Sequence, residues 1–185
     1  MARATEHSIR IIGGHWRGTR IPVAHREQLR PSADRVRETL FNWLQPELPG
    51  ARCLDLFAGT GVLGFEALSR GAATCALVEK DGALVARMET LKARLKAEHA
   101  ALHGADVLAW LNGPASAMDI VFLDPPFHRD LAPTVLARLT RGWLAARALV
   151  YVECERDAVF EHPGYTLHRE GHTQQVRYLL LRAES

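Results

Sequence analysis

The chain has 185 residues, 48% of them hydrophobic, and a formal net charge of +2, which suits one globular domain with a full core. Its longest apolar runs fall far short of a membrane span, and residues 1–10 carry two arginines and a glutamate around no apolar stretch. Neither a spanning helix nor a secretory signal is therefore expected, and the expected compartment is the cytoplasm. The small net charge hides an asymmetry: residues 1–41 hold eight arginines against four acids, or +4, and the remainder is −2. A basic N-terminal segment on a near-neutral body suggests a polyanion held at one end, or else a solvated arginine-rich face.

In residues 8–23, β-forming residues flank Gly13-Gly14, which predicts a hairpin that turns at the two glycines. A helix is expected from near Ser32, with Pro31 before it, because Val36, Leu40, Phe41 and Leu44 share one helical stripe. From Arg52 onward, short apolar runs alternate with helical patterns. Strands are predicted over 53–57, 74–79, 101–103, 118–124 and 149–153, with helices over 62–70, 82–98, 107–111 and 131–140. That alternation predicts a parallel sheet covered on both faces. After Pro163, strands over 165–169 and 175–181 around a turn containing Gly171 read as a terminal antiparallel hairpin on the sheet edge. The expected architecture is α/β: a three-layer, doubly wound, Rossmann-like sheet of seven mostly parallel strands with an antiparallel edge hairpin. An N-terminal β-hairpin and helix precede it.

Cys53, Cys75 and Cys154 are odd in number, widely spaced and set in strand-like runs, so buried free thiols are expected. The histidines have no metal-ligand spacing and no CxxC pair exists, so no metal is expected.

Two stretches carry chemistry. Residues 55–64 (DLFAGTGVLG) form a strand end followed by G-x-G-x-x-G opening a helix, where Gly59, Gly61 and Gly64 allow a tight turn and a ligand's close approach to bare backbone. Glu79 follows about twenty residues on, at the end of the next strand, placed to accept hydrogen bonds from ribose hydroxyls. A nucleoside-containing cofactor follows. Asp55, just before the glycines, opposes a pyrophosphate and suits a cofactor bearing an ammonium. The second stretch is Asp124-Pro125-Pro126-Phe127, closing the fourth strand of the series. Two prolines cannot continue a central strand, because they donate nothing to the ladder and fix φ. The chain must leave the sheet there, holding a carboxylate and a ring at a strand's C-terminal end, where open α/β sheets bind ligands. His128 either lines the pocket mouth or is a solvated loop histidine.

Together these stretches resemble a class I S-adenosylmethionine-dependent amino-methyltransferase. The N-terminal blocks narrow the resemblance: residues 10–21 (RIIGGHWRGTRI) and 29–44 (LRPSADRVRETLFNWL) are similar to the bacterial 16S rRNA guanine-N2 methyltransferase family, over nearly the whole chain. Ser32 departs from the family's Thr and keeps its hydroxyl. The resemblance implies methyl transfer from S-adenosylmethionine, leaving S-adenosylhomocysteine, to the exocyclic N2 amine of a 16S rRNA guanine. The substrate implied is the small ribosomal subunit or its late assembly intermediate, and the enzyme is expected to be a monomer. One methyltransferase domain is expected over residues 1–185, with a hairpin extension at 1–30 touching RNA and a catalytic core at 31–185.

An aryl amine is a poor nucleophile. Acceptors for both its N–H groups localise its lone pair, and the Asp124 carboxylate with the Pro125 carbonyl can supply them; Phe127 can stack on a base turned out of its neighbours' stack. The family places Asp106 at the cofactor's adenine amino group, a residue that also reads as a helix N-cap. Phe57, Lys80 and Val107 are expected beside the cofactor as well. Of Arg35 and Arg37, one is expected at the methionine carboxylate and the other at an RNA phosphate, unless both lie on a solvated face. Trp16, Arg17 and Arg20 are candidates for RNA contact, though Trp16 equally suits packing of the hairpin on the core. The rival with the same tetrapeptide acts on adenine N6 or another RNA guanine. A protein-glutamine enzyme calls for a neutral Asn in place of Asp124. A small NAD-dependent oxidoreductase needs a substrate domain for which little chain remains, and a non-catalytic RNA-binding module needs no cofactor cleft.

Overall fold

Residues 7–23, 31–126 and 131–184 are described in a computed structural model of the chain. Two short antiparallel strands, β1 (His7–Arg10) and β2 (Arg20–Val23), precede helix α1 (Pro31–Leu44). The alternating body follows as β3 (Arg52–Leu56), α2 (Val62–Ser69), β4 (Thr74–Glu79), α3 (Gly82–Leu95), β5 (Ala100–Gly104), α4 (Val107–Trp110), β6 (Met118–Leu123), α5 (Leu131–Leu139) and β7 (Leu144–Glu155). A hairpin of β8 (Tyr165–His172) and β9 (Val176–Ala183) ends it.

The seven-stranded sheet has the order β5-β4-β3-β6-β7-β9-β8, parallel except for β9, which runs antiparallel to both its neighbours. The chain enters at the centre with β3, lays β4 and β5 to one side, then crosses to β6 and β7 on the other. That reversal leaves a crevice at the C-terminal ends of β3 and β6, where the two helical layers diverge. β3 and β6 are buried on both faces, as their Leu- and Val-rich runs require. One apolar layer joins Leu40, Phe41 and Leu44 of α1 with Phe65, Met88, Cys53, Leu77 and Phe122. The other joins Val135, Leu136 and Leu139 of α5 with Leu54, Leu56, Val121 and Val150. All four stripe residues expected of α1 are buried, each such side chain contributing roughly 1.5–3 kcal/mol. Cys53, Cys75 and Cys154 are buried free thiols. No described helix is long and apolar enough to cross a membrane.

Three local expectations need correction. The hairpin between β1 and β2 does not turn at Gly13-Gly14; residues 11–19 form a longer loop that lies on the end of α2. There a Cβ on Gly14 would sit 1.8 Å from the Ser69 carbonyl oxygen, and Gly14 has φ +77°. Close approach to a helix end therefore selects that glycine. Gly171 does not turn the last hairpin either. It lies inside β8, where a Cβ would meet the Tyr178 ring at 2.3 Å, while residues 173–175 make the turn. Finally, β7 begins well before residue 149, with a register break against β6 between Met118 and Ile120 and a left-handed Arg147 (φ 61°). Residues 145–147 (AAR) carry no β signal of their own; they form the irregularity between the Met118–Leu144 and Ile120–Leu149 pairings, which carry β7 through them.

Candidate active site

Beyond β3 the backbone turns through Phe57 (φ 61°), Gly59 (φ 56°) and Gly61 (φ 76°) before α2 begins. Gly61 and Gly64 are demanded by space as well. A Cβ on Gly61 would meet the Met88 sulfur at 2.8 Å, and one on Gly64 would meet Leu77 at 2.7 Å. Gly59 has no such obstacle. Two carboxylates hold this loop. Asp55 Oδ2 accepts the Gly64 N–H at 2.9 Å, and Glu79 Oε2 accepts the Gly59 N–H at 2.9 Å. Asp55 is 2% exposed. Burial pushes its carboxyl up to about 7; the Gly64 N–H acts the other way, and Glu79 adds to the rise.

Glu79 also accepts the Asp81 N–H, through Oε1 at 2.9 Å. Asp106 caps α4 by accepting the Ala109 N–H at 3.1 Å, as its position predicts, with Val107 buried behind it. Lys80 is exposed beside Glu79. Phe57, Gly59, Glu79, Lys80, Asp106 and Val107 all line one cleft of about 830 Å³ that also reaches Asp55 and Asp124. That volume lies within the usual range for small-molecule sites.

On the far side of the cleft stand Asp124, Pro125 and Pro126, just beyond β6. Asp124 is exposed, but into the cleft, whose protein walls partly desolvate it. That desolvation, then the charges of Glu153 and Asp55, push its carboxyl well above the ordinary carboxylate range. Pro125 is buried. Phe127 and His128 lie outside the described residues.

Several cleft residues escaped the sequence reading, two of them polar groups beside Asp124. Tyr151 and Glu153 come from β7, which runs parallel to β6 with Phe122 beside Tyr151 and Leu123 beside Val152. One residue further on, the same register sets Glu153 next to Asp124. The Tyr151 hydroxyl donates to Glu153 Oε2 at 2.8 Å. The available signal was an acid closing an apolar run, Val150-Tyr151-Val152-Glu153, just as Asp124 closes its own. Thr173 and Gln175, from the β8–β9 turn, also reach the cleft and carry no comparable signal.

The N-terminal candidates divide. Arg37 is 6% exposed and walls the cleft; it donates to the Arg10 carbonyl at 2.6 Å and to Asp34 at 3.2 Å, while its Nε is buried with no partner. Burial lowers its pKa, with Asp34 and Glu66 opposing. Arg35 on the same helix is exposed. Trp16 is half-buried, packed against the core, and its backbone N–H donates to Ser69 Oγ at 2.9 Å, whereas Arg17 and Arg20 are exposed. Among the described residues no group of three or more His, Cys, Asp or Glu could hold a metal ion.

The family model described as Conserved hypothetical protein 95 matches residues 9–182. The chain belongs to this family. It is 46% identical over 180 residues to Ribosomal RNA small subunit methyltransferase D of Escherichia coli strain K12, covering 96% of this chain and 91% of that protein. The enzyme of the same name from Haemophilus influenzae is 44% identical, over 93% of this chain and 92% of its own. Among solved structures, a putative methyltransferase from Escherichia coli, yhhF, superposes with a TM-score of 0.89 at 46% identity, covering 97% of this chain and 99% of that one. The chain is accordingly a methyltransferase, and the glycine loop and the Asp124 turn are the two walls of its cleft.

Proposed function

We propose that the enzyme transfers a methyl group from S-adenosylmethionine to the N2 amine of a guanine in 16S ribosomal RNA, acting on the small subunit or a late assembly intermediate of it. The observation that carries the reading is the placement of Asp124 and Pro125 across the switch-point cleft from the Asp55–Gly64 loop. The residues present fit the cofactor. The orphaned Arg37 Nε in the cleft wall suits a carboxylate, buried Asp55 suits an ammonium, Glu79 ends β4 where ribose hydroxyls are read, and Asp106 with Val107 borders an adenine site. S-adenosylmethionine supplies the methyl group on an electrophilic sulfonium.

Asp124 and the Pro125 carbonyl accept the two N–H groups of the amine, which turns its lone pair toward the methyl and fixes the in-line approach. Asp124, with its carboxyl pushed upward, is also the group placed to take the proton that the methylated amine loses. Neither proline has an N–H to compete for those acceptors, and both stiffen the turn. Phe127 stacks on the extruded base. Exposed Arg17, Arg20 and Arg35 meet RNA phosphates, with Lys80 at the rim of the cofactor site and Trp16 supporting the hairpin from the core side.

The test is to incubate the protein with tritiated S-adenosylmethionine and unmodified small subunits, digest the RNA and identify the labelled nucleoside. N2-methylguanosine is the expected product. Label in N6-methyladenosine, or equally efficient labelling of free guanosine, overturns the reading.

A further inference from the structure

We propose that Glu153 is the guanine-specifying residue of this cleft, accepting the N1–H of the target base while Asp124 holds the neighbouring N2 amine; this rests on the guanine-N2 reading above. The juxtaposition comes from the sheet. β6 and β7 are parallel and in register through Leu123 and Val152, and adjacent strands lie about 4.8 Å apart, so the next residues, Asp124 and Glu153, end side by side over the same crevice. Both line the cleft. Tyr151, 1% exposed, donates its hydroxyl hydrogen to Glu153 Oε2 at 2.8 Å, which holds the carboxylate in one orientation. An ionised carboxylate has about four lone-pair sites, so accepting from Tyr151 leaves it an acceptor still. The charge of Glu153 is also the largest charge effect on Asp124, as neighbouring carboxyl groups require.

Two adjacent carboxylates offer acceptors side by side, and the purine that complements them carries two adjacent donors. Guanine does, with N1–H next to N2–H2. Adenine pairs its N6 amine with the bare N1 lone pair, which a carboxylate repels. The turn holding Asp124 and Pro125 orients an amine of either base. The second carboxylate is what separates them, and a well-formed bidentate contact of this kind discriminates bases by about tenfold or more. Glu153 thereby explains how one methyltransferase scaffold selects guanine while the acceptor turn itself does not.

The measurement is single-turnover methyl transfer to small subunits reconstituted with rRNA carrying either guanine or 2-aminopurine at the labelled position. 2-Aminopurine keeps the N2 amine and lacks N1–H. The native enzyme is expected to prefer guanine by about tenfold or more. In Glu153→Gln the amide oxygen still accepts from Tyr151, and its NH2 can donate to the bare N1, so the preference is expected to collapse at least tenfold toward parity. Tyr151→Phe, which removes only the hydroxyl, is expected to shift the ratio in the same direction by a smaller factor. Calorimetric S-adenosylmethionine affinity near native in both variants establishes that the cofactor half of the cleft is intact. If both variants lose rate on the two substrates equally, with the guanine preference unchanged, Glu153 only supports the fold and the proposal is overturned. If the native enzyme labels no purine at N2, the guanine-N2 reading itself falls, and the proposal with it.

Discussion

Two loops of this molecule are held by the same device, a buried carboxylate accepting backbone N–H groups, and they differ in what balances the charge. In the N-terminal loop, Glu66 of α2 is fully buried and accepts the Ile12 N–H at 2.7 Å and the Gly13 N–H at 2.8 Å. Arg70, one turn along the helix, closes an ion pair with it at 2.8 Å and lies over the Phe41 ring at 5.0 Å. Ser69 completes the clasp by donating to the Gly13 carbonyl at 2.6 Å. In the glycine loop after β3, Asp55 accepts one N–H, and no basic side chain among the described residues contributes to its ionisation. Its carboxyl is accordingly pushed up to about 7. A compensated buried charge makes a permanent joint, whereas an uncompensated one is ready for a ligand's cation. The first ties the hairpin to the body; the second, on the function proposed above, is left for the cofactor's ammonium.

Glu66→Ala tests the permanent joint and carries the largest expected effect. It strands Arg70 and two backbone donors, and should cost about 3–5 kcal/mol in denaturant unfolding. A loss below about 1 kcal/mol would mean that the hairpin is not clasped there.

Asp55→Asn probes the uncompensated charge through pH. The folded-state value of about 7 stands above the ordinary 3.8, so the native state prefers the protonated acid. The associated stability is fully present below about pH 4 and is lost as pH rises through 7, by up to about 4 kcal/mol. Between pH 4 and 7.5 the native protein should therefore lose stability relative to the Asn variant; parallel curves would assign the slope to other groups. Asp124→Ala, at the opposite wall, should lower methyl transfer by about 10²–10³-fold with cofactor affinity near native. Turnover within tenfold of native would remove Asp124 from the reaction. The smallest effect belongs to Arg17→Ala on the clasped loop: unchanged unfolding, weaker RNA binding, and a salt slope reduced by about one phosphate contact. An unchanged slope would detach the hairpin from RNA.

The α/β alternation was legible because β3, β4 and β6 are short, mostly apolar runs and α1 carries its stripe at helical spacing. The glycine loop and the Asp124 turn were legible for a related reason: left-handed backbone, close approach and a double proline each restrict which residues can stand there. The clasp was not. Glu66 and Ile12 lie 54 positions apart, and nothing near either one signals the other. Gly14 and Gly171 were misread as turns because glycine marks both conformational freedom and close approach, and only the neighbour in space tells which applies. Glu153 was seen as a strand end, but its pairing with Asp124 depends on the β6–β7 register.

By itself the sequence determined most of the elements, their alternation, the glycine loop after β3 and the double-proline turn after β6, since those follow from local φ/ψ limits and apolar periodicity. The tertiary structure alone decided which carboxylate is paired with a cation, which glycine touches a helix end and which acid stands beside Asp124. Those depend on long-range packing and strand register, which bring together residues that no local rule connects.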